Sequence, residues 1–320
     1  MTTNIILGSY NGEKYIKEQI ESFFHQTQLP DLLIISDDAS TDQTVEVIKQ
    51  LTKVSPFPIK IIENGSNSGY TRNFEKLLEA ADGDIIFFSD QDDYWFPEKI
   101  EMVTREFLKS AKTMWVINDM ILADGNLEPT PFTQLTNIRK IGMSDETFVA
   151  GCAVAIRKEW KNVVLPFPEN YEGHDNWISR LAAITDSRSI IEKPLQLYRR
   201  HGSNISQSFA SKTEKVSQFS AAISHGLQSA EKGWIKELER LQLTRDRIAE
   251  KREVLEFLDL PSDCNKALAL SDRKINIYQK RIANLKKNKI SRFLPLCKMY
   301  LQGDYQIFLG YKSFIKDLIR

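Results

Sequence analysis

The sequence predicts an α/β fold: a mostly parallel sheet flanked by helices, followed by a helical C-terminal region. Three observations carry this. Short apolar runs alternate with stretches of helical period from Asn4 to Asp90. Three of those runs end in polar clusters, SYN, DDAS and DQDD. No strand pattern follows Ser206, where long stretches of helical period take over.

The elements follow in order. NIILGSY is a short buried strand, and EKYIKEQIESFFHQ sets Ile16, Ile20, Phe23 and Phe24 on one helical stripe. LLIISDD is a second strand that stops abruptly in acids. STDQTVEVIKQLTK is a helix with Ser40 or Thr41 as its expected cap. PIKIIEN, YTRNFEKLLEAA and GDIIFFSD supply a third strand, a third helix and a fourth strand. Such β-α-β repeats demand parallel strands with helices on both faces. MWVINDMILAD and FVAGCAVAIRK read as further strands, EGHDNWISRLAAI as a helix with an acidic head, and SIIEKPLQLYRRHGSNIS as strand and loop. The expected division is a catalytic α/β domain over 1–210 and a helical domain over 211–320.

With 320 residues, 42% of them hydrophobic, the chain can bury a large core. Basic and acidic residues both number 43, but unevenly. From Arg273 to Arg320 there are 12 basic and 2 acidic residues, a net of +10, leaving a net of −10 elsewhere. Such a tail suits an anionic partner, and an interfacial contact with an anionic membrane is the expected one. No nucleic-acid recognition motif accompanies the charge. Cys152, Cys264 and Cys297 show no paired or metal-binding spacing. The chain passes from MTTN straight into a strand, and no apolar run nears the ~18 residues that span a bilayer. A cytoplasmic protein, peripheral on the inner face of the membrane at most, is expected.

The stretch FFSDQDDYW is the chemical centre of the sequence. Asp90 and Asp92 are alternate residues at a strand end, so their carboxylates can converge. Hard divalent cations take such oxygens, and Mg2+ lets substrate phosphates complete its shell. Asp-x-Asp at this place therefore suggests Mn2+ or Mg2+ holding a diphosphate. Capping of the helix at PEKIEMV by Asp92 or Asp93 is the plainer alternative.

SYNGEKYI, SDDASTDQT, NSGYTRNFEKL and SDQDDYW, followed by EGHDNW and YRRHGSNIS, together resemble a family 2 glycosyltransferase of the GT-A fold. The C-terminal LQGDYQIFLGYKSFIKDLIR is similar to the tail of bacterial polysaccharide rhamnosyltransferase-like members. The resemblance covers nearly the whole chain and is weakest between about 211 and 290. It implies that Ser9, Tyr10 and Asn11 line a nucleotide pocket, with Gln91 beside them. It implies that Asp38 accepts a hydrogen bond from the imide of uracil or thymine, that Arg72 meets phosphate or braces Asp90, and that Asp90 contacts ribose. Asp92 becomes the direct metal ligand, with Asp90 and His201 as further ligands. The catalytic base falls on Asp175, with Glu172 as the second candidate, because the family's adjacent Glu-Asp pair is replaced here by His174-Asp175.

The implied function is inverting, metal-dependent transfer of a sugar from a UDP- or dTDP-sugar, L-rhamnose from dTDP-rhamnose being preferred. The acceptor would be a bacterial surface glycan, lipid-linked or not, and a homodimer is compatible with the sequence. Two other classes are disfavoured by the residues. A sugar-nucleotide pyrophosphorylase should show a Gly-rich loop with Arg and Lys after the first strand, which LGSYNGEKY lacks. A non-catalytic nucleotide-sugar-binding scaffold would be favoured by loss of Asp92 or Asp175, and both are present. Trp95 and Trp177 suit either core packing or the face of a sugar ring.

Overall fold

A computed structural model describes residues 1–169, 171, 173–202, 204, 209–216, 230–308 and 310–320. The chain divides into two compact units: Met1–Ser224 with Leu258–Pro261, and His225–Phe257 with Ser262–Arg320.

The first unit is built on one nine-stranded sheet. β1 (Thr3–Ser9), β2 (Leu32–Asp37), β3 (Ile59–Glu63) and β4 (Ile85–Ser89) alternate with helices α1 (Ile16–Phe24), α2 (Thr44–Thr52) and α3 (Tyr70–Ala80). These four strands are parallel, in the order β3-β2-β1-β4, as short right-handed crossovers require. Their apolar residues are buried on both faces: on one, Ile5, Leu7, Leu33, Ile35, Ile85 and Phe87 lie with Ile16, Ile20 and Phe23 of α1 in one core, and on the other Ile6, Ile34, Ile86 and Phe88 are buried too.

Past β4 the sheet becomes mixed. β5 (Tyr94–Trp95), α4 (Lys99–Lys109), β6 (Trp115–Ala123), β7 (Pro129–Thr133), α5 (Gln134–Lys140), β8 (Val154–Arg157), α6 (Lys161–Val164), α7 (His174–Ile184) and β9 (Arg188–Arg199) follow. β8 joins β4 antiparallel and β6 joins β8 antiparallel, while β9 runs parallel to β6 and antiparallel to β5. Parallel pairing is thus confined to the β-α-β repeats and the β6–β9 pair.

Register sets the rim where the polar clusters collect. Ser9 is opposite Asp37, and Leu7 is opposite Ser89, so β1, β2 and β4 all end at one edge. The short β5 then turns back onto Leu197 and Gln196 of β9, which brings the end of β9 to the same place.

The second unit is helical, with helices Ala230–Glu250, Arg252–Phe257, Cys264–Leu285, Lys289–Leu301 and Tyr311–Ile319 among the described residues. Ile277, Leu296, Met299 and Tyr305 form its core with Ile307, Phe308, Phe314 and Leu318. A buried ion pair crosses it: Arg281 donates to both oxygens of Asp317 at 2.8 and 3.0 Å, and the Tyr305 hydroxyl donates to Asp317 at 3.0 Å. The Arg281 guanidinium lies 3.9 Å from the Trp234 ring centre and 4.0 Å from that of Phe308. Among the described residues, no helix is long and apolar enough to cross a membrane.

Candidate active site

The loop after β1 is organised by its own backbone. The Asn11 amide donates to Ser40 Oγ at 2.9 Å, and its side-chain oxygen accepts from the Thr41 amide at 2.9 Å. Gly12 donates to Thr44 Oγ1 at 2.8 Å. A Cβ at Gly12 would sit 2.1 Å from Gln91 Oε1, so glycine is what lets the two loops touch. Gln91 then grips the Tyr10 backbone with both ends of its amide, accepting at 2.9 Å and donating at 3.0 Å. Ser40 and Thr41 do not cap α2: they fasten β2's loop to Asp37 and Asn11, and α2 begins at Thr44.

The two acids after β2 are both buried and both occupied. Asp37 accepts from Ser9 Oγ at 2.9 Å and from the Ser40 amide at 2.8 Å. Asp38 accepts from the Ser68 amide at 3.0 Å, Ser68 Oγ at 2.9 Å, the Gly69 amide at 2.8 Å and Asn64 Nδ2 at 3.1 Å. A carboxylate offers about four acceptor positions. Those of Asp38 serve the loop that leads into α3, with Gly69 at a left-handed φ of 82° at the helix start. A base imide reaching Asp38 has to displace one of these donors.

Arg72, in the first turn of α3, does not brace Asp90. It pairs with Glu75 and donates to the Phe167 carbonyl at 3.3 Å, while Glu75 accepts from the Phe167 amide at 2.6 Å. Its side chain is still about a third exposed (38%).

The DQDD stretch is the densest part of the rim. Burial, then the charges of Asp92, Asp93 and Asp175 in that order, push the Asp90 carboxyl well above the ordinary carboxylate range. Asp175 therefore shares this electrostatic neighbourhood with Asp90, although it comes from the head of α7. Asp92 Oδ2 lies 2.8 Å from His201 Nε2 and accepts from Asn204 Nδ2 at 3.2 Å. Both Asp92 and His201 keep some exposure, 13% and 12%. The His201 ring stacks on Tyr15 at 4.7 Å. Asp93 is fully buried and caps no helix. It accepts from the Arg199 amide at 3.0 Å and Gln196 Nε2 at 3.1 Å, and burial raises it to about 7.

Asp175 is the second residue of α7, whose N-cap is Gly173. Its Oδ1 accepts from the neighbouring Asn176 amide at 2.8 Å. Glu172 lies outside the described residues. His174 is buried between Phe74, at 4.1 Å between ring centres, and Phe88, at 5.6 Å, and neither ring nitrogen has a hydrogen-bond partner. Burial lowers its pKa to about 4, so it is neutral at physiological pH.

Several functional neighbours escape sequence reasoning. Arg199 reads as a spare positive charge for phosphate. It is instead buried, donating to the Asp92 carbonyl at 2.7 Å and the Gly125 carbonyl at 2.8 Å, pairing with Glu18 and lying 4.7 Å from the Tyr15 ring centre. It pins the loop that carries Asp92. Lys99 is buried with its ammonium 3.7 Å from the Trp95 ring centre, donating to the Cys152 carbonyl at 3.1 Å and to Gln196. Burial lowers it to about 7. Its signal was present: Lys99, Val103 and Phe107 follow helical spacing on the buried stripe of α4. Trp95 and Trp177 are core residues, 1% exposed each, and offer no face to a sugar.

Among the described residues, no three His, Cys, Asp or Glu stand together as a ready metal site. The donor chemistry nonetheless fits a divalent cation. A carboxylate and an imidazole meet at Asp92 and His201, with the uncompensated carboxyl of Asp90 beside them, and a positive charge there reverses the repulsion that raises Asp90.

Acids gathered where the parallel strands of an α/β sheet end make the kind of rim at which such sheets bind their ligands. Residues 4–164 match the model of glycosyl transferase family 2, and the chain belongs to that family. An uncharacterized glycosyltransferase of Nostoc sp. is 28% identical over 67% of this chain and 70% of its own. The dTDP-rhamnosyl transferase RfbG of Shigella flexneri is 30% identical over 62% of this chain and 72% of its own. The crystal structure of S. aureus TarS residues 1–349 in complex with UDP superposes with a TM-score of 0.57 at 18% identity, covering 99% of this chain and 81% of that one. That likeness is one of fold and makes the architecture GT-A-like. The chain is a glycosyltransferase.

Proposed function

We propose that the chain is a metal-dependent, inverting glycosyltransferase that takes a sugar from UDP or dTDP and delivers it to a surface polysaccharide acceptor. One observation carries the reading: the ring of His174, beside Asp175 at the head of α7, stacks on Phe88 of β4 at 5.6 Å between ring centres, two residues before Asp90, which sets the candidate base and the candidate diphosphate-binding acids on one rim. In this reading Asp175 accepts the acceptor hydroxyl's proton as it attacks. Asp92 and His201, with Asp90, would hold Mn2+ or Mg2+, which would supply positive charge to the departing diphosphate. Ser9, Tyr10 and Asn11, steadied by Gln91, form the floor of the nucleotide pocket. Arg72, paired with Glu75 but partly exposed, meets the donor's phosphates in this reading.

L-rhamnose is the preferred sugar because a relative at 30% identity is a dTDP-rhamnosyl transferase. Incubation with a panel of UDP-, dTDP-, GDP- and CDP-sugars, Mn2+ and a glycan primer tests this. Release of dTDP from dTDP-rhamnose, dependent on Mn2+, is the expected result. Turnover of a GDP- or CDP-sugar alone contradicts the donor assignment.

A further inference from the structure

Helix Lys289–Leu301 has two unlike faces. Arg292, Leu296 and Met299 are buried, and Arg292 donates to the Leu318 carbonyl at 3.1 Å. Ile290, Phe293, Leu294 and Leu301 recur at helical spacing on the other face, and all are exposed: Ile290 by 90%, Leu294 by 75% and Leu301 by 85%. Helix Tyr311–Ile319 repeats the pattern with exposed Tyr311, Ile315 and Ile319. Within the mixed basic and apolar tail, Tyr305 is core and Phe308 and Phe314 pack against it, while Phe293, Leu294, Tyr311 and Ile315 stay exposed. Leu309 lies outside the described residues.

The same two helices, with the turn that precedes the first of them, carry six exposed lysines. Lys286, Lys287, Lys289, Lys298, Lys312 and Lys316 are exposed, and among the described residues none of the six forms an ion pair. The exposed stripe is mainly aliphatic, Ile290, Leu294, Leu301, Ile315 and Ile319 against Phe293 and Tyr311, whereas nucleic acid is gripped through phosphates and stacked on aromatic rings. A second copy docking through the same face would set lysine against lysine. An anionic bilayer satisfies both features: acyl chains take the apolar stripe and headgroups take the ammonium groups. A helix of 13 residues is about 20 Å long, too short to span and suited to lying in the headgroup layer.

We infer that the exposed stripe of helices Lys289–Leu301 and Tyr311–Ile319 docks the protein in the headgroup layer of an anionic lipid bilayer. The inference does not depend on which sugar is transferred, or on transfer at all.

Flotation of the full chain with vesicles of phosphatidylcholine, with and without phosphatidylglycerol, tests it. The protein is expected to float only with phosphatidylglycerol present and to be released by high salt. The F293S/L294S and K286E/K289E variants, changed only at exposed positions, are expected to lower the bound fraction about tenfold or more while keeping wild-type circular dichroism. The inference is overturned if the wild-type chain stays in solution with anionic vesicles, or if F293S/L294S floats as wild type does. It is equally overturned if sedimentation shows a dimer that F293S/L294S dissociates, with no vesicle binding, or if the chain retards RNA while ignoring vesicles.

Discussion

At the scale of single residues, the proposed chemistry rests on Asp175 and Asp92. Asp175→Asn removes the proton acceptor while keeping the hydrogen bond from Asn176 sterically possible. It is expected to lower kcat by about a thousandfold, with UDP or dTDP affinity little changed in calorimetry; near-normal turnover places the base elsewhere. His174 offers a separate test through stability. Its imidazole takes a proton near pH 4 in the folded chain and near 6.5 in its absence. The unfolded chain therefore binds the extra proton between those values, so stability is full above pH 6.5 and falls as pH drops towards 4. The loss amounts to about 3 kcal/mol, and His174→Leu is expected to flatten it in urea titrations across that range. The placement of Asp90 and Asp92 just past a strand end and of Asp175 at a helix head was legible, because the apolar period of the adjoining strand and helix fixes where each element stops or starts. The occupancy of Asp38 and Gln91 by loop donors was not, since it depends on which backbone amides the folded loops present.

At the scale of elements, the β-α-β half was readable because apolar period and crossover length fix both strand type and direction. The antiparallel half was not. Nothing local tells β8 to enter between β4 and β6, or β5 to pair with β9. Those pairings decide the site, because they carry Arg199 and His201 to Asp92. Arg199 ties three segments through the Asp92 and Gly125 carbonyls and Glu18. Arg199→Ala is expected to cost about 3 kcal/mol in denaturant unfolding and to weaken nucleotide binding although the residue touches no ligand in the proposed site. Arg199→Lys is expected to recover little, since one ammonium cannot reproduce a planar fork with separate donors.

At the scale of the whole molecule, an acidic catalytic region is joined to a basic helical one whose exposed apolar stripe looks for a surface. Charge counting along the sequence made that asymmetry visible, but only the folded helices separate exposed Phe293 and Leu294 from buried Arg292 and Tyr305. The most direct test concerns the acidic rim itself. Calorimetric titration of UDP and dTDP into the wild-type protein and into Asp92→Ala, each with and without Mn2+, measures whether the rim holds a diphosphate through a cation. Binding that requires Mn2+ and weakens more than about tenfold in Asp92→Ala is predicted; equal binding without the metal, or in the variant, contradicts it.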